Sequence, residues 1–186
     1  MFSRMHQFGY LLTCLCVLCL SGCGGESKSS RPWLGTIRHE LGYLGARNWI
    51  VIAEAAFPTN SRRGLRVIQI DAEIADVLEG LEDVIEEKHH VKPRIYVTRE
   101  IEKMPYDYAP GVEAYREDLK KALHGRETVR LDNAMLMSLI NNTSKSYRVL
   151  VIKTRTALPY SSVFVELGSG YWDAESEAAL RKSMEE

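Results

Sequence analysis

The sequence predicts an α/β fold, a three-layer α/β/α sandwich with a largely parallel sheet. Three observations predict it. Apolar runs of strand length alternate with segments of helical periodicity along most of the chain. The run Asn48–Ala53 (NWIVIA) is continuous rather than alternating, as expected of a strand covered on both faces. No linker-like composition interrupts the chain beyond residue 31, so one domain with a single core is expected over residues 32–172.

Each element has its own justification. Leu34, Ile37, Leu41 and Leu44 fall at helical spacing and predict a helix over Pro32–Tyr43 with Pro32 in its opening turn. Asn48–Ala53 is the first strand; after the loop Asn60-Ser61-Arg62-Arg63-Gly64, Leu65–Ile70 is the second. Ala72–Lys88 carries an apolar stripe of Ile74, Val77, Leu78, Leu81, Val84 and Ile85, with acids on the remaining face. Asp71 is placed to cap it, and Lys88-His89-His90 closes it in the sense the helix dipole favours. Strand Arg94–Val97, helix Val112–Leu123, strand Thr128–Leu131 and helix Asn133–Asn142 follow, then strands Tyr147–Ile152 and Ser162–Leu167. The tail 173–186 reads as a C-terminal helix.

The first 23 residues, MFSRMHQFGYLLTCLCVLCLSGC, have the parts of an export signal: Arg4, then an apolar run from Phe8 to Leu20 too short to span a bilayer. Leu20-Ser21-Gly22-Cys23 matches a bacterial lipoprotein box. It predicts a signal peptide over 1–22, lipidation of Cys23, a flexible tether over 23–31 and residence at the cell envelope on a membrane. The cysteines are Cys14, Cys16, Cys19 and Cys23, so no disulfide, thiolate metal site or cysteine nucleophile is expected in the exported domain. Removing residues 1–22 takes away Arg4 and no acid, leaving 23 basic and 25 acidic side chains. That balance argues against a nucleic-acid partner.

Few residues suggest chemistry. No Gly-rich phosphate loop joins a strand to a helix. His89 and His90 are adjacent and point apart, with no third ligand spaced to join them, so no metal is expected. Glu54 follows the first strand and would lie at its carboxyl end, where open α/β sheets bind ligands; the alternative is a loop carboxylate bonded to nearby backbone. Pro159-Tyr160-Ser161-Ser162, just before the last strand, is either a second polar cluster at a strand edge or an ordinary turn with a packed tyrosine.

Three motifs in this order resemble the bacterial D-ribose pyranase and L-fucose mutarotase family: Leu44-Gly45-Ala46 before the strand, Glu54-Ala55-Ala56-Phe57-Pro58 after it, and Tyr160-Ser161-Ser162 opening the last strand. The resemblance runs from about Trp33 to Trp172. It implies interconversion of the ring and anomeric forms of a free monosaccharide, with no cofactor and no metal, in a homo-oligomeric ring whose sites lie at subunit contacts. It also implies a histidine after the Leu-Gly pair as general acid, where this chain has Ala46. Glu54 stands for the family's usual aspartate, Ser162 for an asparagine, and Tyr160 matches; a further ligand after the strand near Arg130 falls to Asp132 or Asn133. Opening a hemiacetal needs a base on the anomeric hydroxyl and an acid on the ring oxygen. Without the histidine, those tasks fall to Glu54 or to His39, and the alternative is a sugar-binding or structural envelope protein without turnover.

Overall fold

The computed structural model describes residues 31–59 and 61–185. The expected signal segment, the lipidation at Cys23 and all of the tether but Arg31 lie outside the described residues. Strands β1 (Trp49–Ala53), β2 (Leu65–Gln69), β3 (Val91–Thr98), β4 (Thr128–Leu131), β5 (Val149–Lys153) and β6 (Val163–Ser169) alternate with helices α1 (Leu34–Leu41), α2 (Ile74–Lys88), α3 (Arg99–Lys103), α4 (Val112–Ala122), α5 (Asn133–Thr143) and α6 (Ala174–Ser183). All six strands form one sheet in the order β2-β5-β1-β6-β3-β4.

The sheet is mostly parallel, as the alternation of strands and helices predicts. β1 and β2 both run parallel to β5, and β4 runs parallel to β3. The exception sits in the middle: β6 is antiparallel to both β1 and β3. The cause is the connection that leads into it. Thr154–Ser162 contains no helix to carry the chain back down the sheet, so β6 must descend from the edge where β5 ended.

Strand periodicity divides the core in two. Ile50 and Ile52 of β1 and Val163 and Val165 of β6 face a layer made by α1, α2 and α4, with Ile37, Leu41, Leu78, Leu81 and Val112 fully buried. Trp49, Val51 and Phe164 face the other way, against Leu136 and Ile140 of α5 and against Phe57 from the β1–β2 loop. The first layer thus holds three packed helices and the second essentially one. α6 buries none of its side chains.

The α2 stripe is buried as expected, but its cap is not Asp71. The helix starts at Ile74, and Glu73 at the cap position makes no capping bond with its own side chain. Thr156, from the β5–β6 connection, does the work: its Oγ1 accepts from the Ile74 N–H at 3.0 Å and donates to Glu73 Oε2 at 2.6 Å. The Thr156 hydroxyl, then Arg155, holds the Glu73 carboxyl below the usual carboxylate range. A depressed acid contributes stability above its unfolded pKa and loses it as the pH falls through the folded value. Thr156→Val is therefore expected to cost about 1 kcal/mol at neutral pH, as a lost cap does. The gap to the parent should narrow in acid, as checked by thermal melts across pH.

Sequence periodicity did not show α3 or the 3-10 turn Tyr106–Tyr108 between β3 and α4. Both are too short to display a repeat, and Pro105 separates them.

Candidate functional site

The parallel strands end together at one edge of the sheet, and the β5–β6 connection crosses over the end of β1 to reach its place. The Ala55 N–H donates to Thr156 O at 2.8 Å at that crossing. The crossing lays Tyr160–Ser162 on top of Glu54. Ser162 Oγ accepts from the Glu54 N–H at 3.1 Å and donates to Glu54 Oε2 at 3.2 Å, and the Ser161 N–H donates to the same oxygen at 3.1 Å. One carboxylate oxygen is thus pinned by two donors. The other, Oε1, makes no hydrogen bond among the described residues and is not sealed from solvent.

The loop that pins Glu54 is itself held by separate elements. Tyr160 has φ 61°, a left-handed conformation that costs energy for a residue with a Cβ. Thr98 at the end of β3 holds it there, its Oγ1 donating to Tyr160 O at 2.6 Å. Tyr115 of α4 donates from its hydroxyl to Ser161 O at 2.5 Å, and Ser161 Oγ donates to Leu158 O at 2.7 Å. Burial, and then the charge of Glu54, push the Tyr115 phenol far above its ordinary value, so it remains a neutral donor. Ser161 and Ser162 are buried, while Tyr160, next in the chain to the Ser161 N–H that binds Glu54, keeps 38 % of its surface open. A carboxylate fixed by its neighbours and an exposed aromatic residue on the loop that fixes it are groups that the hydroxyls and C–H faces of a small polyol can use.

The structure brings Glu54, Tyr160 and Ser162 together and leaves two other sequence candidates elsewhere. Ala46 precedes β1 and Glu54 follows it, so the strand's own length, about 13 Å, separates them across opposite edges. Asp132 lies on the Glu54 edge, at the cap position of α5, but β6 and β3 intervene; three strand spacings put it about 14 Å away. It pairs at 3.4 Å with Arg99 Nη1. His39, His89, His90 and His124, the described histidines, all lie in segments leading into the opposite ends of the parallel strands. Within one chain, none of them can serve Glu54. The positioning groups Thr98 and Tyr115 carried no sequence signal, because a threonine ending a strand and a tyrosine on an amphipathic helix both read as packing.

A strongly perturbed carboxyl lies away from this site. Glu82 on α2 has a side chain 6 % exposed, and burial raises its pKa against the pull of Arg126. Arg126 Nε is 3.2 Å from Glu82 Oε1 but out of line for a hydrogen bond, so that buried oxygen is unsatisfied. A raised acid pKa means the charged form is destabilising above the unfolded pKa, with relief as the pH falls through the folded one. Glu82→Gln is thus expected to raise the thermal midpoint at pH 7, with the gain vanishing in acid. Among the described residues no group of three or more metal-ligating side chains converges.

No protein-family model matches the chain, and no curated protein sequence matches it. Solved structures do resemble it. The Bacillus subtilis RbsD complexed with D-ribose is 19 % identical, over 72 % of this chain and 91 % of that one, with a TM-score of 0.48. FucU from Bifidobacterium longum is 14 % identical, over 72 % and 94 %, at 0.48. The fucose mutarotase from Streptococcus pneumoniae in complex with L-fucose is 18 % identical, over 70 % and 89 %, at 0.46. An RbsD, a FucU and a fucose mutarotase are thus among the solved structures to which this chain is similar.

Proposed function

We propose that the chain binds a free monosaccharide at the Glu54–Tyr160 edge and interconverts its ring or anomeric forms slowly, with Glu54 as the single acid/base group. One observation carries the reading: the Glu54 carboxylate is fixed through Oε2 by Ser161 and Ser162, its Oε1 takes no hydrogen bond among the described residues, and the exposed Tyr160 belongs to the same loop. Ring opening moves a proton from the anomeric hydroxyl to the ring oxygen, and a positioned carboxylate can take the first proton and return it to the second. With the second acid/base group of the resemblance replaced by Ala46, turnover should be modest.

A second reading, sugar binding without turnover at the cell envelope, is favoured by the position of the described histidines on the far edge. Saturation-transfer NMR on D-ribose, L-fucose and galactose, with calorimetry on the same sugars, separates the two. Exchange above buffer supports the first reading, and binding without exchange the second. Neither binding nor exchange removes both. Lipid anchoring at Cys23 and a homo-oligomer belong to the same proposal. Since Ala46 and Glu54 occupy opposite edges, only two copies could bring them together. A monomeric sedimentation profile would exclude that arrangement.

A further inference from the structure

The edge opposite Glu54 gathers positive charge. Arg62 and Arg63 precede β2, and Lys145 and Arg148 precede β5. Two neighbouring parallel strands therefore bring both basic loops to one place. Gly64 makes the approach possible: a Cβ there would sit 2.2 Å from Ser144 O and 3.0 Å from Tyr147 O. The Val149 N–H then donates to Gly64 O at 2.8 Å and closes the seam.

Between the loops lies a concavity of about 530 Å³ with four cationic side chains and no acidic one on its wall. A second, of about 480 Å³, adjoins it and shares Arg63, Gly64 and Arg148; its one acid, Glu40, is held by Arg66 at 3.0 Å.

Not all of this charge is unexplained. Arg62 Nη1 donates to Asn141 O at 2.8 Å and Lys145 Nζ to Asn142 Oδ1 at 2.9 Å, both at the C-terminal end of α5, where cations are favoured. Arg63 and Arg148 have no such task. Both are exposed, line both concavities, and make no side-chain hydrogen bond or ion pair among the described residues. Two arginines lining one concavity place like charge there without a counter-charge of their own, which an anion would supply, and the planar fork of arginine suits phosphate oxygens in pairs.

We propose that this concavity binds a phosphate-bearing ligand, with Arg63 and Arg148 as the clamp. The phosphate belongs either to a soluble molecule or to a lipid headgroup. The inference does not depend on the sugar reading, since the two sites occupy opposite edges of the sheet.

The test is calorimetry of the full chain in nonionic detergent at low salt, with inorganic pyrophosphate as the probe. Saturable binding is expected, weakening as salt screens it. The double variant Arg63→Gln/Arg148→Gln should bind at least tenfold more weakly, while Lys92→Gln should leave binding unchanged. Flotation with phosphatidylglycerol vesicles, against phosphatidylcholine alone, assigns the source: arginine-dependent capture by the anionic vesicles without pyrophosphate binding places the phosphate on a lipid. Equal binding of both probes by the parent and the double variant overturns the proposal, as does no binding of either by the parent. Should the double variant fail to fold, Arg63→Lys and Arg148→Lys keep the charge and remove the fork, and each is expected to lose part of the affinity; full retention in both overturns the clamp.

Discussion

Glu54→Gln is expected to remove about 10²-fold or more of any acceleration of sugar exchange, with little effect on the fold. Positioned acid/base catalysis typically contributes about 10²- to 10⁴-fold, and in this reading Glu54 is its only source. The amide is nearly isosteric, and its oxygen can still accept from the Ser161 N–H that now reaches Oε2. Stability should fall only by the difference between a charged and a neutral hydrogen bond, about 1 kcal/mol. The two effects can be read separately, by NMR exchange and by thermal melting. Exchange that survives in a folded Glu54→Gln variant would move the chemistry away from this edge.

Phe164→Ala is expected to be the most damaging single change to the fold, at about 3–5 kcal/mol. Phe164 is fully buried on β6, between β1 and β3, with its ring 6.3 Å from that of Phe57 at 61°. Its layer has one helix, α5, and a loop to cover it, so few neighbours can move in to fill the space. The thermal midpoint should drop by about 10 °C for a domain of this size. The proposed sugar binding should weaken as well, because Ser162 is two residues away and takes its position from the same strand. A loss below about 1 kcal/mol would show that the α5 layer repacks freely.

The sequence made β1, β5 and β6 legible because burial on both faces leaves nearly unbroken apolar runs. It made α2 legible because fifteen helical residues display a stripe. It did not reveal the direction of β6, since periodicity has no sense of direction; only the helix-free length of Thr154–Ser162 hinted at it. The cap of α2 was hidden for another reason. Asp71 is adjacent in sequence, whereas Thr156 arrives from 82 residues away.

At the candidate site, Glu54 was singled out because a strand's carboxyl end has a known place in such sheets, and Tyr160–Ser162 as a motif; the fold brings these residues together. Ala46 is a different case. Its motif suggested a shared site with Glu54, yet the five strand residues between them were enough to put the two at opposite edges of the same chain.

The central position of β6 also dictates an order of events during synthesis. The strand that joins the β2-β5-β1 half of the sheet to the β3-β4 half is the last of the six described strands to be made. Until residue 169 is available, β1 and β3 each present an unpaired backbone edge, and no native pairing links the two halves. The nascent chain therefore cannot fold progressively from its N-terminus. It stays open and vulnerable to mispairing for most of its production, then closes late in a step dominated by distant contacts. A holding chaperone would find its longest-lived target in this interval, on the two apolar strands awaiting their common neighbour.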